Sequence, residues 1–378
     1  MYARSDLSGK LSLDSAPSSS KGETPILNET LKIIDCDVHN SLRSDRDLLP
    51  YLPDTWKDRV KRGGLGLMYS GYYSPVGVGR KDATPPGGGA VGSDPDFLIE
   101  QLVNPYHMEA AVLTGNLFSV SVGHDPDFAA ATASAYNDYL IDHWLNKDPR
   151  FKGSIFVALQ DPQLAAKEID RLGSHPGFVQ VITSSASRMP LGQRFFHPIY
   201  EAAERNGLPV AIHPGAEGAG QANPPTAAGY PTWYIEWHTC LSTTFMAQLT
   251  SLICEGVFEK YPRLKFVFIE GGVSWLPHLM WRLDKNYTAL RSQVPWLKKM
   301  PSAYIRDHCY FTTQPIEEPN NIAHLKQIFE MIDAEHILLY SSDYPHWDFD
   351  SPDHILKWLT PEHRRRIFYE NAKQLYKL

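Results

Sequence analysis

Cysteine is scarce in this chain. Its four copies, Cys36, Cys240, Cys254 and Cys309, are scattered through 378 residues with no CxxC pair. That excludes a disulfide framework and a zinc-knuckle spacing, and makes a reducing cytoplasm the expected compartment. No apolar run approaches the ~20 residues that a membrane span requires. The N-terminus has no hydrophobic stretch of the kind that directs secretion. Cations are outnumbered, 36 Lys and Arg against 43 Asp and Glu for a formal charge of −7, which excludes a nucleic-acid surface. The densest basic run, "EHRRRIF" at 362–368, falls in a helix-patterned C-terminal segment and reads as a solvated face. A dinucleotide-binding sheet would need a glycine-rich turn after its first strand, and none stands there.

What is present suits a soluble globular protein: 43% hydrophobic and 21% charged residues. Residues 1–30, rich in Ser, Lys, Pro and Gly, read as an extended or disordered tail. From 31 to 378 the chain alternates. Eight short apolar runs begin with "LKIIDCDVH" and end with "HILLYSSDYPH", separated by helix-patterned segments such as "DFAAATASAYNDYLIDHWL". The runs are almost continuously apolar, as parallel strands covered on both faces are. Eight strand–helix units predict an α/β fold, a closed (β/α)8 TIM barrel. Two stretches interrupt the alternation: residues 61–97 after the first strand and 214–240 after the fifth, both rich in Gly, Pro and aromatics. They emerge where a barrel keeps its active site and are expected to form lids or pocket walls.

The strand ends carry the chemistry. In "LKIIDCDVHN" (31–40), Asp35, Asp37 and His39 follow at two-residue spacing, which puts all three on one face of a strand. His213 ends the fifth run, Glu270 the sixth and Asp343 the eighth, with His346 three residues on. Singly each has an ordinary reading: Asp343 as a turn or cap residue before Tyr344-Pro345, His213 as a core histidine. Together they converge on one mouth, and desolvating a carboxylate costs several kcal/mol or more. A divalent cation removes that cost, so Asp37 and His39 are expected to bind metal.

The D-x-D-x-H of the first strand, H-P-G of the fifth, "FIEGG" of the sixth and "SSDYPH" of the eighth resemble the amidohydrolase superfamily. More closely they resemble the amidohydrolase-2 (aminocarboxymuconate-semialdehyde decarboxylase-like) family, over roughly residues 31–378. The resemblance implies Asp37, His39, His213 and Asp343 as ligands to one divalent ion. Two positions depart from the pattern: Asp37 stands where the first histidine of a strand-one H-x-H would be, and Glu270 replaces the strand-six histidine. Asp37, Glu270 and Asp343 together bring three negative charges, which favours two divalent ions over one. The carboxylate–imidazole set suits iron or manganese as well as zinc. His238, at the end of the second insertion, is the expected extra ligand; its alternative is an exposed loop histidine. His346 is placed behind the ligands or as a proton shuttle.

Two chemistries follow. In a hydrolase or decarboxylase acting on a small carboxylate-bearing molecule, Asp343, His346 and Glu270 handle protons. In an oxygenase resembling 2-aminoisobutyrate hydroxylase-like dinuclear enzymes, paired iron or iron–manganese activates dioxygen. A structural partner of a catalytic paralogue is a further reading. Trp233, Trp237, Trp275 and Trp347 are expected to shape the pocket or fill the core, and Arg188 to meet a substrate carboxylate or face solvent. The partners expected are a small-molecule substrate and a like or related subunit, with no nucleic acid and no membrane.

Overall fold

The eight apolar runs do form strands. In the computed structural model, which describes residues 31–67, 71–74 and 77–378, they are β1 (Ile33–Val38), β2 (Met108–Leu113), β3 (Phe151–Phe156), β4 (Phe178–Ser184), β5 (Val210–His213), β6 (Phe266–Phe268), β7 (Cys309–Thr312) and β8 (Leu338–Leu339). They pair in sequence order, every pair parallel. The ends meet where Cys36 N donates to Tyr340 O at 2.9 Å, His39 N to Tyr344 O at 2.7 Å and Asp343 N to Asp37 O at 3.1 Å. The sheet is therefore a (β/α)8 barrel, and closure pairs each of the eight described strands on both sides. The predicted tail, residues 1–30, lies outside the described residues.

Strand burial follows from composition. Every residue of β1, β4, β5, β6 and β8 is buried, because helices cover the outer face while side chains fill the interior. The helices show the complementary periodicity. In Pro162–Leu172 the buried residues are Pro162, Ala165, Ile169 and Leu172, one stripe at three- and four-residue spacing. Asp161 caps it by accepting from the Gln163 and Leu164 amides, and Pro162 fits the first turn, where no amide donor is needed. Each buried Ile or Leu of such a stripe contributes about 1.5–3 kcal/mol of transfer free energy. No described helix is long and apolar enough to cross a membrane.

Both insertions fold over the mouth and are joined there. Tyr73 of the first pairs with Trp233 of the second, with Tyr73 N donating to Thr232 O at 2.8 Å and Tyr234 N to Tyr73 O at 3.1 Å. The first also pairs with the segment after β8: Gly79 bridges His346, Arg80 N donates to Pro345 O at 2.9 Å, and Trp347 N to Val78 O at 2.8 Å. Further along, Gly92 has φ +70° and lies so near His39 O that an added Cβ would collide with it. Glycine is required there for the insertion to close onto the end of β1.

Candidate metal centre at the barrel mouth

Barrel topology brings the strand-end residues together. One donor atom each from Asp37, His39, His213 and Glu270 lie within 4.8 Å of one another, and His39, Asp343 and His346 form a second such group. His39 Nε2 is 3.0 Å from Asp343 Oδ1 and 3.6 Å from Asp37 Oδ1; His213 Nε2 is 3.4 Å from Asp37 Oδ2 and 3.2 Å from Glu270 Oε2. His346 Nδ1 is 2.8 Å from Asp343 Oδ1. Asp37, Asp343 and His39 are essentially inaccessible, and His213 and Glu270 nearly so. Two of the residues are held in left-handed backbone, Glu270 at φ +62° and Asp343 at φ +58°. Non-glycine residues rarely take that conformation, and it clusters at functional sites.

The hydrogen bonding shows what the cluster lacks. His39 Nδ1 lies 2.6 Å from Gly115 O and His213 Nδ1 2.7 Å from Pro214 O. In the neutral rings those nitrogens carry the proton, and each Nε2 turns a lone pair toward carboxylate oxygens. Asp37 Oδ2, His39 Nε2 and His213 Nε2 are buried with no hydrogen-bond partner. Acceptors facing acceptors at 3.0–3.6 Å repel unless a metal ion, or a second proton on the ring, stands between them. Ligands around one divalent ion with bonds of about 2.1 Å are spaced about 3.0–3.4 Å apart, so the donor set fits a metal.

The titration behaviour of the protein alone agrees. Burial opposes a charged His39, yet Asp37 and Asp343 outweigh it and raise the imidazole to about 9. Glu270 is pushed well above the usual carboxylate range, by burial first and then by Asp343, Asp348, Asp37 and Glu217. Burial also works on Asp343, but His346 and His39 more than offset it and hold the carboxyl well below its usual range. Too much negative charge shares one dry space, so the His39 imidazole is drawn toward protonation.

A surrounding ring of residues orients the cluster. Thr114 Oγ1 donates to Asp37 Oδ1 at 2.7 Å, and Gln314 Nε2 donates to Asp343 Oδ2 at 3.1 Å and Asp348 Oδ2 at 2.9 Å. Phe118 lies parallel to the His213 ring at 4.4 Å. Glu217, also buried, accepts from the Ser185 hydroxyl and from Gly215 N at 3.0 Å. Sequence reasoning missed all five. Thr114 and Gln314 lie one and two residues past the ends of β2 and β7 and carry the same strand-end signal as the acids. Asp348 and Glu217 sit on loops and Phe118 opens a short 3-10 helix, Phe118–Val122, and they carry none.

The remaining expected residues are placed as follows. His238 is on a six-residue helix, Tyr234–Thr239, not on the loop expected, and is mostly buried. Its Nε2 is 3.3 Å from Asp348 Oδ2 and 3.8 Å from Glu270 Oε1, with no hydrogen-bond partner. Trp237 is buried and stacks on Tyr72 at 5.1 Å. Trp347 is 55% exposed, with its ring 5.5 Å from His238 and its Nε1 3.3 Å from Tyr234 OH. Trp233 is 48% exposed and packs on Tyr73. Arg188 is not brought to the cluster. It is exposed and lines a separate cleft of about 290 Å3 with Met189, Asn223 and Thr243, because the chain after β4 turns outward. Trp275 is no pocket wall; it is buried and its Nε1 donates to Gly271 O and Gly272 O, both at 2.9 Å.

Residues 34–378 match the family model described as amidohydrolase. The chain is 27% identical over 294 residues to gamma-resorcylate decarboxylase of Polaromonas sp. (strain JS666), covering 74% of this chain and 86% of that protein. Two solved structures share the fold. Dihydroxybenzoic acid decarboxylase from Polaromonas sp. JS666, with bound manganese and the inhibitor 2-nitroresorcinol, has a TM-score of 0.64 at 22% identity over 92% of this chain and 97% of that one. The 5-carboxyvanillate decarboxylase from Sphingomonas paucimobilis has a TM-score of 0.65 at 21% identity over 92% of this chain and 99% of that one.

Proposed function

The chain belongs to the amidohydrolase family over residues 34–378, and from that premise we propose that it is a metal-dependent decarboxylase of a small aromatic carboxylate. The observation carrying this reading is the convergence of orphaned acceptors: Asp37, His39 and His213 present buried, unpartnered ligand atoms to one point. All three relatives described above are decarboxylases, one with bound manganese, which does not favour the dioxygen reading.

Asp37, His39, His213 and Asp343 would hold the first ion. Asp37, Glu270, Asp343 and Asp348 together exceed the charge of one divalent cation, so we assign Glu270 and His238 to a second. When bound, the metal supplies positive charge that orients the substrate carboxylate and lowers the energy of charge developing on the substrate. Manganese suits a donor set of carboxylates and imidazoles. The roof of Tyr72, Tyr234, Trp237 and Trp347 over His238 would hold a flat ring and exclude water. As the bond to the carboxyl carbon breaks, its electron pair stays on the ring carbon and carbon dioxide leaves. That carbon then takes a proton from His346, which Asp343 orients at 2.8 Å. His346 keeps partial exposure, so solvent can restore its proton. Free Cys36, Cys240, Cys254 and Cys309 support a cytoplasmic setting, and the exposed Tyr230, Trp233 and Ile235 support assembly with a like or related subunit.

The test is direct. Manganese-loaded protein is incubated with carboxyl-labelled dihydroxybenzoates and methoxy-hydroxy-benzenedicarboxylates, and released labelled carbon dioxide is measured. Release that chelation abolishes supports the proposal. No release from any aromatic carboxylate, or strict dependence on oxygen, overturns it.

A further inference from the structure

The turn that carries Glu270 is clamped by residues of the β7 unit, of the helix after β5 and of its own segment. Glu270 and Gly272 both have left-handed backbone, at φ +62° and +63°, and a non-glycine residue in that region relaxes unless its surroundings hold it. Four residues do so: Thr312, Glu317, Trp275 and Phe245. Glu270 N donates to Thr312 Oγ1 of β7 at 3.0 Å. Glu317, on the loop after β7, accepts from Val273 N at 3.0 Å and from Ser274 N at 3.3 Å. Trp275 Nε1 ties the Gly271 and Gly272 carbonyls, and Phe245 packs so closely on Gly271 that an added Cβ would strike its ring. A Cβ at Gly272 would strike the Glu317 carboxylate in the same way. The two glycines of "EGG" are thus the surfaces on which the clamp closes.

We propose that Glu317 is a positioning residue for metal binding: through the Val273 and Ser274 amides it fixes the backbone that aims Glu270 at His213 and His238. Glu317 touches neither substrate nor the cluster. The carboxylate acts as an anion cap on two amides that would otherwise pull the turn toward an ordinary conformation. This inference rests on the proposed role of Glu270 as a ligand.

The test titrates Mn²⁺ into chelator-treated, refolding-checked protein and follows free Mn²⁺ by electron paramagnetic resonance, so that the readout is affinity and stoichiometry rather than turnover. Glu317→Gln keeps the side chain's size but presents one acceptor and a donor to two amides. It is expected to weaken the more weakly held Mn²⁺ at least tenfold, in the range that outer residues of metal sites produce. Thr312→Val should act in the same direction, and Thr312→Ser, which keeps the hydroxyl, should stay within about twofold. Should Glu317→Gln not fold, the Thr312 pair decides. Unchanged Mn²⁺ binding in folded Glu317→Gln, or equal effects of Val and Ser at 312, overturns the clamp. Glu270→Ala separates the two ideas: if it binds Mn²⁺ as the wild type does, the ligand assignment fails, whereas a loss there with no loss in Glu317→Gln sinks the clamp alone.

Discussion

Replacing Asp343 by Asn removes one negative charge and almost no volume. The side chain is completely buried, with His346 Nδ1 at 2.8 Å, His39 Nε2 at 3.0 Å and Gln314 Nε2 at 3.1 Å. The amide can still accept from Gln314, so the fold should survive. What is lost is charge toward the two imidazoles. Contacts to a charged partner contribute about 1.5–3 kcal/mol each. Two of them amount to about 3–6 kcal/mol, or a fall in kcat/KM of roughly 10²–10⁴ at 1.36 kcal/mol per decade. Loss of a ligand to the first ion adds to this, so the measured fall should lie at or above the upper figure at limiting Mn²⁺. The assay is release of labelled carbon dioxide at saturating and limiting Mn²⁺, with circular dichroism and thermal melting confirming the fold. A folded Asp343→Asn protein with wild-type kcat/KM would refute the reasoning, because no other carboxylate touches both His39 and His346 among the described contacts.

Other changes follow from the same geometry. Thr114→Val deletes the 2.7 Å donor to Asp37 without exposing a cavity; Mn²⁺ affinity measured by calorimetry should fall about 10–100-fold, with melting little changed. Burial raises the fully enclosed Asp35 carboxyl from 3.8 to about 7. Such a group costs nothing below its unfolded value and destabilises progressively as pH rises toward the folded one. In chelated protein, wild type should therefore lose stability relative to Asp35→Asn between pH 4 and 7, by a few kcal/mol at about 1.4 kcal/mol per unit, and parallel denaturation curves would contradict this. Trp237→Ala empties a buried aromatic position stacked on Tyr72; a loss of about 3–5 kcal/mol in denaturant titration is expected, accompanied by a raised KM.

The barrel was legible because its pattern is repeated. Eight apolar runs with helical segments between them allow few topologies, and all eight became strands in order. The same regularity made the centre legible: a residue at the end of a parallel strand must point to the mouth, so Asp37, His39, His213, Glu270 and Asp343 could be gathered from distant parts of the chain. Away from the strand ends that inference fails. Asp348 reaches His238 only because the segment after β8 pairs with Gly79 of the first insertion, a contact with no local signature. Arg188 follows β4 as His213 closes β5, yet it turns to the surface, since loop direction depends on tertiary packing rather than on strand period. Trp275 shows the limit for aromatics. Its indole serves the backbone of the Glu270 turn, and composition alone does not separate a wall from a fastening.

The account stands most directly on the metal content of the protein as purified and after exhaustive chelation. It predicts stoichiometric divalent metal, two ions per chain from the charge of Asp37, Glu270, Asp343 and Asp348, with activity lost on stripping and regained with Mn²⁺. Chelated protein that holds no metal, keeps its fold and turns over substrate at the full rate would contradict it.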